Sequence, residues 1–420
     1  MLKIVLSLVL VASAASAEVV YIKAGRLIVD ASQAPIAPGA VVISDGMITA
    51  SGPNVTPPAS ARQIDLSAYT VMPSLIDAHI HLGGGAPREA QIPSPALSAL
   101  KAAAGMAYAL EAGVAAVRVL GSGDFVDVAL RNAIDDGTIP GPHVLPAGHA
   151  LSIIGGHGDR TLMPYTVSLA DLYSPANGFV SSPADAEKAV QLQIKYGARV
   201  IKLMASGGVG SPLDFPGDAN LSFEEMRVAC EQAHMHHIKV AAHAENLRSI
   251  LDAMKAGVDS IEHGSELDQE AVDYMKAHHV IYVPTVNVVD TYEQTRSTAS
   301  EVSKAKARSL AKSHFASFAL ALKNNVTMAA GSDNGYRPGA ATVYDEVVTD
   351  VKYGMDPRKA LQSATTEAAS LLGFSKLGTL ATGMEGDLVA LQGDPLTDIQ
   401  ALKRVRFVVF QGKVIKDGTR

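Results

Sequence analysis

The sequence predicts an α/β protein in which a (β/α)8 TIM barrel carries a small β-sandwich domain built from both chain termini. Three observations support this prediction. The middle of the chain alternates apolar strand patterns with helix patterns, both ends are rich in short strands and turns, and 48% of the 420 residues are hydrophobic. Alternating strands and helices are typical of parallel sheets, and this length suits one large barrel plus a smaller unit.

The N-terminus has the pattern of an export signal. The positively charged "MLK" precedes the apolar run "IVLSLVLVA", and "ASA" at residues 15–17 is a small-x-small cleavage site. The apolar run is too short to span a bilayer, and no later segment predicts a membrane span. We therefore expect residues 1–17 to be a signal peptide and the mature protein to be periplasmic or secreted. An uncleaved anchor is the alternative.

Residues 18–72 and 374–420 are expected to form the small β domain. The first range contains the strand patterns "VVYIKAGRLIVD" and "GAVVISDGMITASG", and Asp45-Gly46 is a hairpin turn signal. The second contains "GDLVALQG" and "VRFVVFQGKVIKDG", with turns at "QGK" and "KDG". Two similar ends around a different middle indicate one domain assembled from both termini.

Residues 73–373 are expected to form the barrel. The apolar strands "AVRVLGSG", "RVIKLMASGG", "KVAAHAE", "SIEHGS", "VIYVPTV" and "TMAAGSDNG" alternate with helix patterns. One helix is predicted between an N-cap at Ser182 and a stop at Gly197, and the next begins with a capping box of Ser222 and Glu225. Repetition of strand, polar or glycine-rich end, and helix is the pattern of a (β/α)8 barrel.

Charge and cysteine content exclude several classes of function. The net charge of -7 comes without a basic patch, which argues against nucleic acid as a partner. Because Cys230 is the single cysteine, the chain cannot form an intrachain disulfide or a cysteine-rich zinc site. We expect Cys230 to be a packing residue on a helix.

Polar residues stand at the ends of several predicted strands. In "VMPSLIDAHIHLGGG", His79 and His81 would point to the same side, since residues i and i+2 of a strand share a face. Active sites of such barrels lie at the carboxyl ends of the strands, where a purely structural chain needs no such groups. Six polar residues at or near the ends of predicted strands could each be a capped polar residue, but together they favour a metal site. These residues are His79, His81, Lys202, His243, His263 and Asp333.

These motifs resemble those of the metal-dependent amidohydrolase superfamily. "DAHIH", "IKLMASGG", "AAHAE", "IEHG" and "GSDNG" occur in that order, and the tail "ATTEAASLLGFSKLGTLATGMEGDLVALQGDPLTDI" resembles the family's closing segment. "IKLMASGG" and the "GGHGD" of residues 155–159 look most like the prolidase-like and imidazolonepropionase-like branch. Some members of that branch cleave dipeptides or N-acyl amino acids, including ochratoxin-type amides.

The resemblance implies a binuclear metal site. One divalent ion would be held by His79, His81 and Asp333, and the second by His243 and His263. Lys202 would be carboxylated and bridge the ions. An ammonium group cannot ligate a cation, and a positive charge would be repelled by two metal ions. The alternative for Lys202 is a side chain that reaches solvent. Nitrogen and oxygen ligands suit zinc, although manganese or cobalt would also fit.

The resemblance also implies catalytic and substrate-binding roles. A metal-bridging hydroxide would attack the amide carbonyl, and Asp333 would carry its proton to the departing nitrogen. His157 is expected to contact the substrate or the oxyanion, the alternative being an ordinary loop histidine. Tyr336 and Arg337 follow in the last barrel loop as predicted substrate contacts. Arg337 could pair with a carboxylate, although a surface salt bridge is the alternative.

Other features are expected to be structural or depart from the family pattern. His149 is interpreted as structural, and the "HMHH" of residues 234–237 as a polar helix end. Arg118 resembles the family's second-strand arginine, but Val119 stands where an aspartate is usual, which weakens any expectation of a local ion pair. "YRPGAAT" stands where the family usually has histidine-glycine after the eighth strand, so we expect the substrate entrance to differ from the family's.

Three functions remain open at this point. The first is hydrolysis of the amide bond of a dipeptide or an N-acyl amino acid. The second uses the same site as a lactonase, an esterase or a hydrolase of cyclic amides, although an export signal counts against a true imidazolonepropionase. The third is a binding protein on an inactive barrel, which the full set of ligand positions disfavours. The partner is a small-molecule substrate, and a homo-oligomer is a family expectation.

Overall fold

The computed structural model describes residues 18–82, 94–159, 172–211, 213–295 and 299–419. The predicted signal peptide of residues 1–17 lies outside the described residues. The strands are, in chain order, β1 (Val19–Leu27), β2 (Gly39–Ser44), β3 (Met47–Gly52), β4 (Arg62–Pro73), β5 (Leu75–Ile80), β6 (Val114–Val119), β7 (His143–Pro146), β8 (Val200–Met204), β9 (Lys239–Ala244), β10 (Ser260–His263), β11 (Ile281–Val283), β12 (Leu388–Leu391), β13 (Val405–Phe410) and β14 (Lys413–Asp417).

Strands from both chain ends form one seven-stranded sheet in the order β14-β13-β12-β4-β1-β2-β3. The prediction was a β-sandwich, and the difference lies in β4. This long strand pairs with β1 along most of its length and with β12 through residues Thr70 to Pro73, so strands from both termini join a single sheet. The predicted turn between β2 and β3 is confirmed, since Asp45 and Gly46 both have positive φ, as a two-residue hairpin turn requires.

The middle of the chain contains two parallel sheets, β5-β6-β7 and β11-β10-β9-β8. Helices follow these strands along the chain and pack on them through a large apolar core. The α-helices are α1 (Pro95–Glu111), α2 (Val126–Asp135), α3 (Pro183–Tyr196), α4 (Phe223–Met235), α5 (Leu247–Ala256), α6 (Gln269–His278), α7 (Val286–Asp290), α8 (Tyr292–Thr295), α9 (Glu301–Lys323), α10 (Val343–Lys352), α11 (Pro357–Ser363) and α12 (Thr366–Leu372).

The predicted helix boundaries of α3 and α4 are confirmed. The side chain of Ser182 accepts a hydrogen bond at the start of α3, and Gly197 ends that helix with a φ of 110°. Ser222 and Glu225 form the predicted capping box at the start of α4. Cys230 lies on the inner face of α4 and is buried, as expected of a packing residue. In the part of the chain that the structure describes, no helix is long and apolar enough to cross a membrane.

Backbone contacts connect the two parallel sheets. Between β7 and β8, the amide of Arg199 donates to the carbonyl of Pro146 at 2.7 Å. On the other side, the segment of residues 327–334 lies between β11 and β5. The amide of Ala329 donates to Tyr282 on β11, and the amide of Asp333 donates to His79 on β5 at 2.9 Å. This segment therefore brings a late part of the chain beside its first parallel strand.

Candidate metal centre and active site

Three predicted ligands lie together where β5 meets the segment of residues 327–334. Oδ1 of Asp333 is 3.2 Å from Nε2 of His81 and 3.5 Å from Nε2 of His79. The two Nε2 atoms are 3.4 Å apart. One ligand atom from each residue therefore lies within 4.8 Å of the others, which is the spacing that a single metal ion needs.

Local backbone geometry brings Asp333 to the histidines. Asp333 has a φ of 49°, which turns the chain sharply after residues 327–332. A Cβ at Gly331 would come within 2.6 Å of the His79 Cβ, so only glycine allows this approach. Asp77 holds the turn through its carboxylate, which accepts the amide of Ser332 at 2.9 Å and the hydroxyl of Tyr336 at 2.8 Å.

The other predicted histidines continue from this group as a row of rings. The ring of His263 lies 5.1 Å from that of His79 and 4.7 Å from that of His243. His157 stacks on His243 with ring centroids 4.1 Å apart. In the described residues, however, His243 and His263 are not part of a group of three ligand atoms within 4.8 Å. The second ion of the predicted pair therefore stays a prediction.

Each of these histidines is oriented by a neighbouring oxygen. Nδ1 of His263 lies 2.8 Å from Oγ1 of Thr285, and Nε2 of His243 lies 3.0 Å from the carbonyl oxygen of Gly207. Burial lowers the pKa of both imidazoles well below the ordinary value, with additional repulsion from nearby cationic groups. Neutral imidazole is the form that binds a metal ion.

Lys202 is buried beside this row without a partner for its amine. It lies on β8, its side chain is 1% exposed, and Nζ makes no hydrogen bond to any residue that the structure describes. Burial is the main cause that lowers the pKa of Lys202 to about 8, although Glu262 and Asp333 oppose it. An unpaired buried amine is costly. A lowered pKa increases the share of neutral amine, which is the form that carbon dioxide can carboxylate.

Glu262 is a site residue that sequence reasoning missed. Oε2 of Glu262 lies 2.9 Å from Nδ1 of His79, and Oε1 accepts a hydrogen bond from Arg118 at 2.8 Å. Burial alone would raise the pKa of Glu262, but Arg118 and His79 outweigh it and lower the pKa to about 2. The ionised carboxylate accepts a hydrogen bond from a protonated Nδ1, which leaves the lone pair of Nε2 available to a metal ion. The sequence clue was an acid inside the apolar strand "SIEHG".

His157 packs against a second wall of the site, formed by residues 207–211 and 213–215. Nδ1 of His157 lies 2.9 Å from Oγ of Ser211, which also bonds Asp214. A Cβ at Gly208 would come within 2.3 Å of the His157 ring, so the loop passes directly against it. The buried amine of Lys306 fixes the loop by donating to the carbonyls of Ser211 and Asp214. His157 is thus held against His243, where a substrate contact would need it.

The two predicted substrate contacts after the last strand, Tyr336 and Arg337, differ in their exposure to solvent. Tyr336 is 5% exposed, and its hydroxyl donates to Asp77 in the protein interior. Its burial gives the predicted substrate role no support, because the hydroxyl already has a structural partner. Arg337 is exposed. His149 packs on Phe125 and accepts the amide of Asp124 at 3.1 Å, which agrees with a structural role.

The donor set fits divalent metal ions. Imidazole nitrogens and a carboxylate converge near the buried amine of Lys202, which has no hydrogen-bond partner in the described part of the chain. Nitrogen and oxygen donors of this kind suit zinc, manganese or cobalt. A site that binds such an ion next to a histidine-lined wall can polarise a carbonyl group and supply groups that move protons.

Comparison with known proteins gives consistent results. The sequence pattern of the family described as "Amidohydrolase family" matches residues 70–415. The ochratoxinase of Aspergillus niger is 35% identical over an alignment of 430 residues, which covers 97% of this chain and 88% of that protein. The crystal structure of that ochratoxinase superimposes with a TM-score of 0.85 at 34% identity, covering 96% of each chain.

A second solved structure is similar over nearly the whole chain. It is a Xaa-Pro dipeptidase with bound methionine in the active site. The TM-score is 0.87 at 32% identity, and the match covers 94% of this chain and 99% of the dipeptidase. The family match over residues 70–415 includes all the strand-end residues described above.

Proposed function

Because the chain belongs to the amidohydrolase family and is a hydrolase of amide or peptide bonds, we propose that it cleaves a dipeptide or an N-acyl amino acid. The relatives support this substrate class, since one is named for ochratoxin and the other for Xaa-Pro dipeptides. The observation that carries the proposal is the convergence of His79, His81 and Asp333 beside the unpartnered amine of Lys202.

The proposal includes a closed (β/α)8 barrel that brings these residues together. It is supported by the parallel pairing of both sheets and by the contacts of residues 327–334 with β11 and β5. A parallel bridge between Leu151 and Leu203 supports closure on the other side. In a closed barrel the carboxyl ends of all strands face one active site, where every predicted ligand is then located.

Two divalent ions, most suitably zinc, are proposed for this site. His79, His81 and Asp333 would hold one ion, and His243 and His263 the other, with carboxylated Lys202 shared between them. When bound, such ions supply a Lewis acid for the scissile carbonyl and activate water. The lone amine of Lys202 supports the carbamate, because carboxylation would give this buried group a role and a compensating charge.

The chain's own residues are proposed to orient the substrate and move the proton. The carboxylate of Asp333, beside His79 and His81 and 19% exposed, would accept a proton and pass it to the departing nitrogen. The ring of His157, fixed by Ser211 and stacked on His243, forms a wall against which the acyl group would lie. Exposed Arg337 is the proposed partner of a substrate carboxylate.

The deciding experiment is hydrolysis of a mixed panel by the purified, zinc-loaded protein. The panel contains Xaa-Pro and other dipeptides, N-acyl amino acids including ochratoxin A, and simple lactones. We expect release of a free amino acid that a chelator abolishes and added zinc restores. Ring opening of lactones without amide cleavage would overturn the proposed substrates and favour the lactonase alternative. Cleavage that survives complete metal removal would overturn the metal-dependent mechanism.

A further inference from the structure

A second group of metal-ligand side chains lies away from the active site, where β7 meets the seven-stranded sheet. His143 is the first residue of β7, and Glu385 and Asp387 lie just before β12. Nε2 of His143 is 3.0 Å from Oε2 of Glu385. One ligand atom from each of the three residues lies within 4.8 Å of the others. The proposed amide hydrolysis makes no use of this cluster.

Asp387 gives an independent indication that a ligand is missing. Asp387 is only 5% exposed, and one oxygen, Oδ1, accepts a hydrogen bond from the amide of Gln411 at 2.6 Å. The other oxygen, Oδ2, is buried and has no hydrogen-bond partner among the described residues. A buried carboxylate oxygen without a donor is costly, and native proteins rarely leave one unsatisfied. A cation or a proton would satisfy it.

The neighbouring residues hold the imidazole in place and leave an entry path. The ring of His143 packs against Phe374 and Phe410, with ring centroids 5.6 and 5.3 Å away. The side chains of His143 and Glu385 are each 22% exposed, so solvent reaches the group. Glu385 also lines a cleft that contains two further acids, Glu18 and Asp45, and one base, Lys413. The excess of negative charge beside Glu385 favours a cation over an anion.

We propose that His143, Glu385 and Asp387 bind a structural divalent ion, most suitably Zn²⁺, that links β7 to the seven-stranded sheet. One imidazole nitrogen and two carboxylate oxygens are zinc ligands, and water would complete the coordination. Around one zinc ion such ligand atoms lie about 3 to 4 Å apart, and the 3.0 Å between His143 and Glu385 is already in that range. The ion would satisfy Oδ2 of Asp387 and cross-link two parts of the chain far apart in sequence.

The competing explanation needs no metal ion. His143 and Glu385 then form only a hydrogen-bonded pair, and Asp387 keeps a proton. The two explanations differ in the number of ions that the protein binds, which can be measured without any substrate. The proposed structural metal site can therefore be tested independently of the proposed function.

The test is the number of zinc ions bound per full-length chain, measured by equilibrium dialysis against buffered Zn²⁺ and elemental analysis. Asp387→Asn and His143→Gln are each expected to lose one bound ion relative to the parent protein and to retain its hydrolytic activity. Asp45→Asn is the matched control. It removes an acid from the same cleft, and asparagine tolerates the φ of 50° at this position, so the ion number should not change.

An ion number equal to that of the parent in either variant would overturn the proposal, even if thermal stability falls. That result would assign the cluster to hydrogen bonding alone. If Asp387→Asn does not fold, His143→Gln carries the same test, because its partly exposed side chain is easier to replace. Another outcome is a parent protein that hydrolyses no amide, with each variant still binding one ion fewer than the parent. That result would uphold this metal site and overturn the proposed function instead.

Discussion

Glu262 and His79 are 183 positions apart in sequence, yet Oε2 of Glu262 lies 2.9 Å from Nδ1 of His79. The same carboxylate binds Arg118 through Oε1 at 2.8 Å. Arg118 therefore anchors Glu262, and Glu262 sets the tautomer of His79, so that Nε2 faces His81 and Asp333. The site thus depends on a buried charge pair that would not itself contact a metal ion.

Replacing Glu262 tests this dependence. Glu262→Gln removes the negative charge that accepts the hydrogen bond from Nδ1 of His79 and pairs with Arg118, so we expect about 10- to 100-fold weaker zinc binding and a similar loss in kcat/KM. Competition with a chromophoric chelator measures the affinity. Ser260→Ala is the matched control, because it removes only the hydroxyl that donates to the same carboxylate at 2.6 Å. Equal losses in both variants would contradict a specific role for the charge.

Replacing Lys202 tests its proposed role as a ligand. Lys202→Ala removes the amine that carboxylation requires, and we expect it to lose at least one bound ion per chain and most of its activity. Elemental analysis of the zinc-loaded protein gives the ion number. Lys306→Met is the control, since Lys306 is also buried but donates to backbone carbonyls. An Ala variant that binds as many ions as the parent would refute the bridging role.

Replacing Asp333 separates proton transfer from metal binding. Asp333→Asn keeps an oxygen near His79 and His81 but cannot accept a proton, so we expect near-parental folding, most of the bound metal and a kcat lower by about 100-fold or more. Steady-state kinetics and circular dichroism are the measurements. Asp252→Asn, at a surface ion pair with Arg248, is the control. Near-parental turnover in Asp333→Asn would refute the proposed proton transfer.

A pair of buried acids on α10 predicts how stability changes with pH. Burial raises the pKa of Asp350 well above its ordinary value of 3.8, and burial together with repulsion from Asp350 raises that of Glu346. A carboxyl group with a higher pKa in the folded state binds protons more tightly when folded. The free energy of unfolding therefore falls as the pH rises from about 4 towards the raised values.

Asp350→Asn should weaken this dependence on pH. Both oxygens of Asp350 are buried without a hydrogen-bond partner among the described residues, so a neutral amide should be less costly than a carboxylate at high pH. We expect the variant to gain about 1 to 3 kcal/mol relative to the parent at pH 8, with a smaller difference at pH 5. Thermal unfolding at both pH values checks this. A parent whose stability rises between pH 5 and pH 8, with an equal rise in the variant, would contradict it.

Local patterns predicted much of the fold. The capping box of Ser222 and Glu225 and the turn at Asp45 and Gly46 depend on residues a few positions apart, and the structure confirms both. The strand-end histidines were found for the same reason, since an HxH pattern in an apolar strand places two imidazoles on one side. The grouping of His79 and His81 with Asp333 followed from the family resemblance.

Long-range partners could not be predicted in this way. The contact of Glu262 with His79 and Arg118 depends on which strands meet across the fold, and no short pattern records it. Tyr336 was expected at the substrate, but its hydroxyl bonds Asp77, 259 positions earlier. A β-sandwich was predicted instead of a single sheet. The single sheet depends on the pairing of β4 with both β1 and β12, which are far apart in sequence, and no local pattern specifies this pairing.

The contact between residues 327–334 and β5 also sets an order of events during synthesis. Asp77 lies 255 positions before Ser332, whose amide it binds, and the proposed ligand Asp333 follows directly. A growing chain therefore exposes His79 and His81 long before the carboxylate that completes their group exists. If this group binds a metal ion as proposed, stable capture has to wait until the chain has been made at least as far as Asp333, so the ion would enter late in maturation.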